Sequence, residues 1–346
     1  MKRAGASALL LSNPRDFFYL TGFSGDESAA IVTARDVFLI SDGRFEEQIK
    51  KECPWAKTYM RRGMLNAEIA KACKDLKLRK VAVQADHLTV GDHAELNKLT
   101  KGVRFIIAPP ICARLRILKS SGEVSILNKA LRNAEEAFKA MRKTIRVGQT
   151  ELEMAARLEY EMKSRGASAP AFPTICAEGA NGAQPHAQPG RRKVKRGSAI
   201  LFDWGARLGG YCSDLTRMVF VGSVPPKFRE IYGIVLEAQM AAIAEIRPGR
   251  RMCDIDAVAR KIVEDAGYGP QYNHGLGHGL GLDVHEAPSL SWRSKEKLEV
   301  GMFVTVEPGI YLPGVGGVRI EDDILLTRTG CRVLSRLGKT LKDSVI

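Results

Sequence analysis

The chain lacks any apolar run close to the roughly 18 residues that a membrane span requires; its nearest candidates, such as Ala4 to Leu11, are far too short. It also lacks paired cysteines. Seven stand singly, at positions 53, 73, 112, 176, 212, 253 and 331, and no C-x-x-C occurs. An odd, scattered set argues against a disulfide framework and suits reduced thiols. Aromatic residues make up 7%, and none interleaves with the densest basic cluster, Arg191-Arg192-Lys193-Val194-Lys195-Arg196. Despite a formal charge of +14, no base-stacking platform is visible, so nucleic acid is not expected as a partner. The cluster reads as a solvated turn, and the basic surface would steer acidic peptides toward the protein. The start, Met1-Lys2-Arg3-Ala4-Gly5, has no hydrophobic core segment and no convincing cleavage site. These absences predict a cytoplasmic protein with no membrane partner.

The 346 residues, 45% hydrophobic and 27% charged, suit two globular domains. Residues 1–115 alternate short apolar runs with helical spacing and read as an α/β domain. Strands are predicted at Ala8 to Leu11, Ala29 to Thr33, Val37 to Ile40, Lys80 to Gln84 and Val103 to Ala108, and helices at Asp42 to Glu52, Leu65 to Leu76 and Val90 to Leu99. Residues 116–346 open on a long helix from Ser121 to about Arg146, with Gly148 as its C-cap. Thr150 and Glu153 form a capping box for a second helix. Strand-like runs follow at Ile175 to Ala177, Ser198 to Gly205 and Thr216 to Val221. Two more helices, Pro226 to Ile246 and Cys253 to Ala266, lead to strands at Phe303 to Tyr311 and Gly317 to Thr327. This order, helices then strands twice over, reads as a weak internal repeat in an α+β domain.

Five residues in the second region carry the chemistry. Asp203 ends an apolar strand, and Asp214 begins the return strand after a Gly-rich turn from Gly205 to Gly210, so both are expected on one face, opposite each other. A single Asp here would more often cap a turn. Two opposed carboxylates call for a cation between them. Cys212 is two residues away but is expected on the opposite strand face. In His274-Gly275-Leu276-Gly277-His278-Gly279-Leu280-Gly281-Leu282-Asp283-Val284-His285, the glycines exclude a helix and suggest close approach of backbone and substrate. Glu307 closes a β-forming run, and Glu321 lies within another, where an unpaired carboxylate is costly to bury. Arg319 is an alternative partner for Glu321.

These residues, with their flanking glycines and prolines, resemble the M24 metallopeptidases of the pita-bread fold, the group of methionine aminopeptidase, aminopeptidase P and prolidase. The resemblance implies a creatinase-like N-terminal α/β domain, a pita-bread catalytic domain with an internal pseudo-two-fold repeat, and homodimers. It implies two divalent cations, held by Asp203, Asp214, His278, Glu307 and Glu321. Manganese is expected from the oxygen-rich ligands, with cobalt or zinc as alternatives. His186, at the end of Asn181-Gly182-Ala183-Gln184-Pro185-His186, is implied as substrate-binding, as are His274 and His285, and Arg319 as catalytic. Glu307 would move a proton and His285 would stabilise the oxyanion. Tyr19-Leu20-Thr21-Gly22-Phe23-Ser24-Gly25 and Ser41-Asp42-Gly43-Arg44-Phe45 look like aminopeptidase P. The expected activity is therefore hydrolysis of the Xaa-Pro bond at the amino end of proline-containing peptides. A dipeptide-specific prolidase is the alternative, and a metal-free creatinase-like hydrolase or a non-catalytic binding module is more remote. The chain starts close to its first strand, so the helix that commonly precedes that strand is expected to be absent or short.

Overall fold

The run Ala8–Leu11 (β1) is buried along its length in the computed structural model, which describes residues 5–346. Residues 1–4, and the readings made on them, lie outside the described residues. Alternate side chains of β1 enter different cores. Ala8 and Leu10 join Ile31, Ile40 and Val83 on one side, while Leu9 and Leu11 join Phe17, Phe23 and Leu39 on the other. The run is continuous because both faces of the strand are covered.

The remaining elements of this unit are α1 (Pro14–Thr21), β2 (Ala29–Thr33), β3 (Val37–Asp42), α2 (Glu46–Glu52), β4 (Lys57–Arg61), α3 (Leu65–Asp75), β5 (Lys80–Gln84), α4 (Val90–Leu99), β6 (Arg104–Ala108) and the short α5 (Ile111–Arg116). Six strands form one sheet in the order β4-β3-β2-β1-β5-β6. Three elements, α1, β4 and the short α5, lie outside the sequence expectations. Helix α1 is announced by the Asn13 cap, Pro14 in the first turn and Gly22 at φ 80°. Strand β4 is an edge strand, polar and half-exposed, and lacks the apolar signature.

Contacts divide the chain into Met1–Leu115 and Arg116–Ile346. The second unit begins with α6 (Ser121–Arg142) and α7 (Glu151–Ser164), each opened by a complete capping box, Ser120 with Glu123 and Thr150 with Glu153. Gly148 does not cap α6, which ends at Arg142. Gly148 instead sits at φ 92° in the following loop, its N–H donating to the Val194 carbonyl at 2.9 Å. Next come β7 (Ala169–Pro170), β8 (Ile175–Glu178), β9 (Ala199–Trp204), β10 (Ala206–Leu208), β11 (Tyr211–Cys212) and β12 (Leu215–Phe220). Helices α8 (Pro226–Glu245) and α9 (Met252–Asp265) follow, then β13 (Gly277–Gly279), β14 (Glu286–Leu290), β15 (Phe303–Val306), β16 (Gly309–Leu312), β17 (Gly316–Arg319), β18 (Asp322–Leu326) and β19 (Cys331–Val333). The helix-pair-then-strands order therefore occurs twice.

Two predicted long strands are each broken. The run Phe303 to Tyr311 splits into β15 and β16 around Glu307 and Pro308, and the run Gly317 to Thr327 splits into β17 and β18 around Ile320 and Glu321. β15 and β18 pair in the sheet β14-β13-β15-β18-β19, whereas β16 and β17 pair only with each other. One core lies between these strands and α8 and α9, with Val235, Ala238, Ile255, Val304, Ile310 and Ile324 buried in it. Trp204 fastens β9 to α6: its Nε1–H donates to the Ala134 carbonyl at 3.0 Å and its ring stacks on Phe138 at 4.2 Å.

None of the described helices is long and apolar enough to cross a membrane. Replacing Thr150 by Ala removes the α7 capping box and is expected to cost about 1 kcal/mol. Thr150→Ser should recover most of that loss. Denaturant unfolding of both variants against the parent is the check.

Candidate metal centre

Asp203 lies near the end of β9, and its register partner on β12 is Thr216. The expectation that Asp214 stands directly opposite Asp203 is therefore corrected. Asp214 precedes β12 by one residue and lies on the same face as Thr216, diagonal to Asp203. The strands can close this tightly because Gly205 has no side chain: a Cβ there would meet the Ser213 carbonyl oxygen at 1.8 Å. The turn between β10 and β11 uses Gly209 and Gly210 at φ 57° and 85°, the left-handed pair that a two-residue hairpin demands.

His278 is the middle residue of β13, between Gly277 and Gly279. A Cβ at Gly277 would lie 2.1 Å from the Thr305 carbonyl oxygen, and one at Gly279 would lie 2.3 Å from that of Ala287. These glycines admit neighbouring strands, so close approach of the substrate does not explain them. The His278 Nδ1–H donates to its neighbour's carbonyl, Gly279 O, at 3.1 Å. Its Nε2 therefore faces the acids, 3.2 Å from Glu307 Oε1 and 3.7 Å from Asp214 Oδ2.

Glu307 and Glu321 occupy the two strand breaks, where the backbone leaves one sheet for another. Their side chains thus meet the face that carries the aspartates. One donor atom each of Asp214, His278 and Glu321 falls within 4.8 Å of the others. Arg319 is not the partner of Glu321. It bonds to Asp203, and its Nη1 donates to the Tyr311 hydroxyl at 2.7 Å. Glu321 Oε2 instead accepts from the Thr216 hydroxyl at 2.7 Å.

All nine candidate residues, Asp203, Asp214, His278, Glu307, Glu321, His186, His274, His285 and Arg319, line one cavity of about 830 Å³. Cys212 does not line it; its Sγ lies 3.8 Å from the Leu282 carbonyl. The His274 Nδ1–H donates to Gly275 O at 2.8 Å, and Tyr311, already accepting from Arg319, donates to Nε2 at 3.0 Å. Both nitrogens of His274 are thus engaged, and its ring links Tyr311, and through it Arg319, to the cavity that it lines. His285 lies at the exposed mouth, its ring 4.3 Å from that of His278. Its neighbour Glu286 is held by Arg116 and by Lys119 at 2.7 Å. The loop that carries His186 is tied down by buried Glu151, which accepts from Glu178 N at 2.6 Å, Asn181 Nδ2 at 3.0 Å and Gly190 N at 2.7 Å.

The sequence reading missed Tyr311, Thr216 and Glu151. A signal was present for Tyr311, one aromatic residue four positions after Glu307 in an apolar strand. None was available for Glu151, which looks like any first-turn acid of a helix.

The electrostatics ask for positive charge. Burial pushes the Asp214 and Glu321 carboxyls well above the usual carboxylate range, and neighbouring acids push them further. Asp203 is also raised by burial, against the pull of Arg319. Glu307 goes the other way: burial would raise it, but the His278 hydrogen bond, with His278 and Arg319 beside it, holds it at about 2. Asp203 Oδ1 and Glu321 Oε1 are buried with no hydrogen-bond partner. Orphaned carboxylate oxygens beside an imidazole nitrogen are the donor set that a hard or borderline divalent cation satisfies. These residues fit a metal. Asp203→Ala is expected to retain the fold by circular dichroism and to weaken divalent-metal binding at least about tenfold. Elemental analysis after desalting is the check.

Residues 125–328 match the metallopeptidase family M24, and residues 1–118 match the creatinase/prolidase N-terminal domain. The Xaa-Pro dipeptidase of Pyrococcus horikoshii is 36% identical, over 99% of this chain and 96% of that protein. The solved structure of an Xaa-Pro dipeptidase from Bacillus anthracis is similar at a TM-score of 0.95 and 36% identity, covering 100% of this chain and 96% of that one. That of an X-Pro aminopeptidase from Thermotoga maritima reaches 0.93 at 34% identity, covering 99% and 100%. With its metal-type acid cluster, a creatinase/prolidase N-terminal domain and relatives that match it from end to end, this chain belongs to the hydrolytic metallopeptidase family M24.

Proposed function

We propose that the protein is a prolidase, hydrolysing Xaa-Pro dipeptides with two divalent cations held by Asp203, Asp214, His278, Glu307 and Glu321. The observation that carries this reading is the cavity in which buried, partnerless carboxylate oxygens gather around the His278 imidazole. The first-unit motifs at residues 19–25 and 41–45 favoured the aminopeptidase. The dipeptidase and prolidase names of relatives that match the whole chain support the alternative better, and the order of the two readings reverses. The cavity adds a physical reason. Arg293 lines it next to Trp292, its guanidinium 5.3 Å from that ring and without an ion-pair partner among the described residues. A cation there suits the carboxylate that follows proline in a dipeptide and is absent at that position in a longer peptide.

The bond before proline is a tertiary amide with no N–H, and, as in any amide hydrolysis, its nitrogen needs a proton to leave. The cations, when bound, would polarise the scissile carbonyl and lower the pKa of a water molecule. Glu307 would accept that water's proton and carry it to the proline nitrogen. His285 has its pKa lowered by burial and by His278, so it is neutral at pH 7 and would donate one N–H to the developing oxyanion. His186, exposed at the rim, would bind the dipeptide's end. Arg319, clamped by Asp203 and Tyr311, keeps the Asp203 carboxylate in place.

Manganese or cobalt suits this oxygen-rich set. Seven free thiols suit a cytoplasmic, reducing setting, and a homodimer is proposed. Glu307→Gln should lower kcat by about 10²–10⁴. Steady-state hydrolysis of an Xaa-Pro dipeptide by correctly folded protein is the measurement. The substrate reading rests on comparing Xaa-Pro with Xaa-Pro-Yaa-Zaa. The dipeptide should be the better substrate, and Arg293→Ala should raise its KM about tenfold, or roughly 1.4 kcal/mol, with little change in kcat. Faster cleavage of the tetrapeptide would restore the aminopeptidase.

A further inference from the structure

A second cavity, of about 850 Å³, lies in the same unit and shares no lining residue with the metal centre. Its lining carries Lys139, Arg142, Lys143, Arg165, Arg217 and Arg336. Basic residues on the last turn of α6 are what a helix C-terminus favours. That accounts for Lys139, Arg142 and Lys143 but not for the other three. Arg165 follows the end of α7, Arg217 is on β12, and Arg336 follows β19. Four segments therefore converge their cations on one space.

Acids take up part of this set: Arg217 pairs with Asp322 at 2.7 Å, Arg165 pairs with Glu161, and Asp343 attracts Arg142. Glu136 is bonded to Lys139 at 2.8 Å, and Asp343 accepts from the Thr340 N–H at 3.0 Å and from its hydroxyl at 2.7 Å. The side chains of Lys143 and Arg336 have no ion-pair partner among the described residues, and Arg142 donates only to the Val345 carbonyl, at 3.0 Å. Two guanidinium N–H donors on the lining, Arg142 Nε and Arg217 Nε, are buried with no acceptor. Arg217 is itself 3% exposed. A buried donor without an acceptor is costly, and converging guanidinium and ammonium groups match the oxygens of a phosphate. Burial opposes the charge on Arg142, so an anion beside it would be stabilising.

We propose that this cavity is a phosphate-binding site, taking a phosphate group either free or as the phosphate of a small organic monoester. Arg142 Nε and Arg217 Nε supply the buried donors, and the exposed Lys143 and Arg336 supply the unpaired cations. The proposal is independent of the substrate reading above.

The test is calorimetric titration of the full-length, metal-loaded chain with orthophosphate and, separately, with adenosine monophosphate, in chloride buffer. One saturable site is expected, weakened at least about tenfold by Lys143→Glu and by Arg142→Gln. Dipeptide hydrolysis without phosphate should be unchanged in Lys143→Glu. Tighter binding of the nucleotide would identify an organic phosphate as the occupant, whereas equal binding would identify the free anion. No saturable binding of either probe up to about 50 mM, an affinity too weak for a built site, would overturn the proposal. So would undiminished binding in Lys143→Glu, the decisive variant if Arg142→Gln loses its fold with the Val345 contact.

Discussion

Several carboxylates buried around one imidazole cannot all ionise unless positive charge stands among them, and much of the second unit is arranged around that constraint. Asp214 and Glu321 are pushed toward the neutral acid by burial and by neighbouring carboxylates, while Glu307 is kept ionised by His278. Nothing in a hydrophobic core requires such a set. Removing acids from water and crowding them is unfavourable in the apo-protein, and cation binding reverses the sign of the interaction. The binding free energy of the metal therefore doubles as stabilisation of the site that holds it.

The backbone delivers these groups by interruption of its regular structure. Asp214 sits just outside β12, and Glu307 and Glu321 sit where one sheet gives way to another. At such breaks the side chain escapes strict two-sided alternation and can turn into a shared space. The supporting contacts then hold each carboxylate in one orientation: Thr216 bonds Glu321, Arg319 bonds Asp203, and Tyr311 links Arg319 to His274. On Arg217, which lines the basic cavity, hydrogen bonds to the Glu321 carbonyl and to Asp322 coexist with a buried Nε that has no acceptor. One strand, β12, thus takes part in both polar sites of the unit.

Much of this was legible in the residues. The run Ala8–Leu11 and the β-forming residues before Glu307 mark strands, and Thr150 with Glu153 marks a helix start, because these signals act over a few neighbouring residues. An Asp or Glu ending a β-forming run marked a candidate ligand, because burying it alone is so costly. The polar edge strand Lys57–Arg61 was not legible, since edge strands expose the residues that would mark them. The end of α6 was misjudged because Gly148 has the left-handed backbone of a cap without being one; the helix stops six residues earlier.

The sequence by itself determined the chemical inventory: which acids and histidines exist, which flanking glycines and prolines break the chain beside them, and hence the family to which the chain belongs. Tertiary structure alone decided the pairings. It set Asp203 opposite Thr216 rather than Asp214, gave Arg319 to Asp203 rather than Glu321, occupied both nitrogens of His274, and gathered Arg142, Arg165, Arg217 and Arg336 from four segments. Local propensity is a property of adjacent residues. Partnership between side chains a hundred or more positions apart depends on strand register and on where the sheets break, and no short stretch of sequence encodes either.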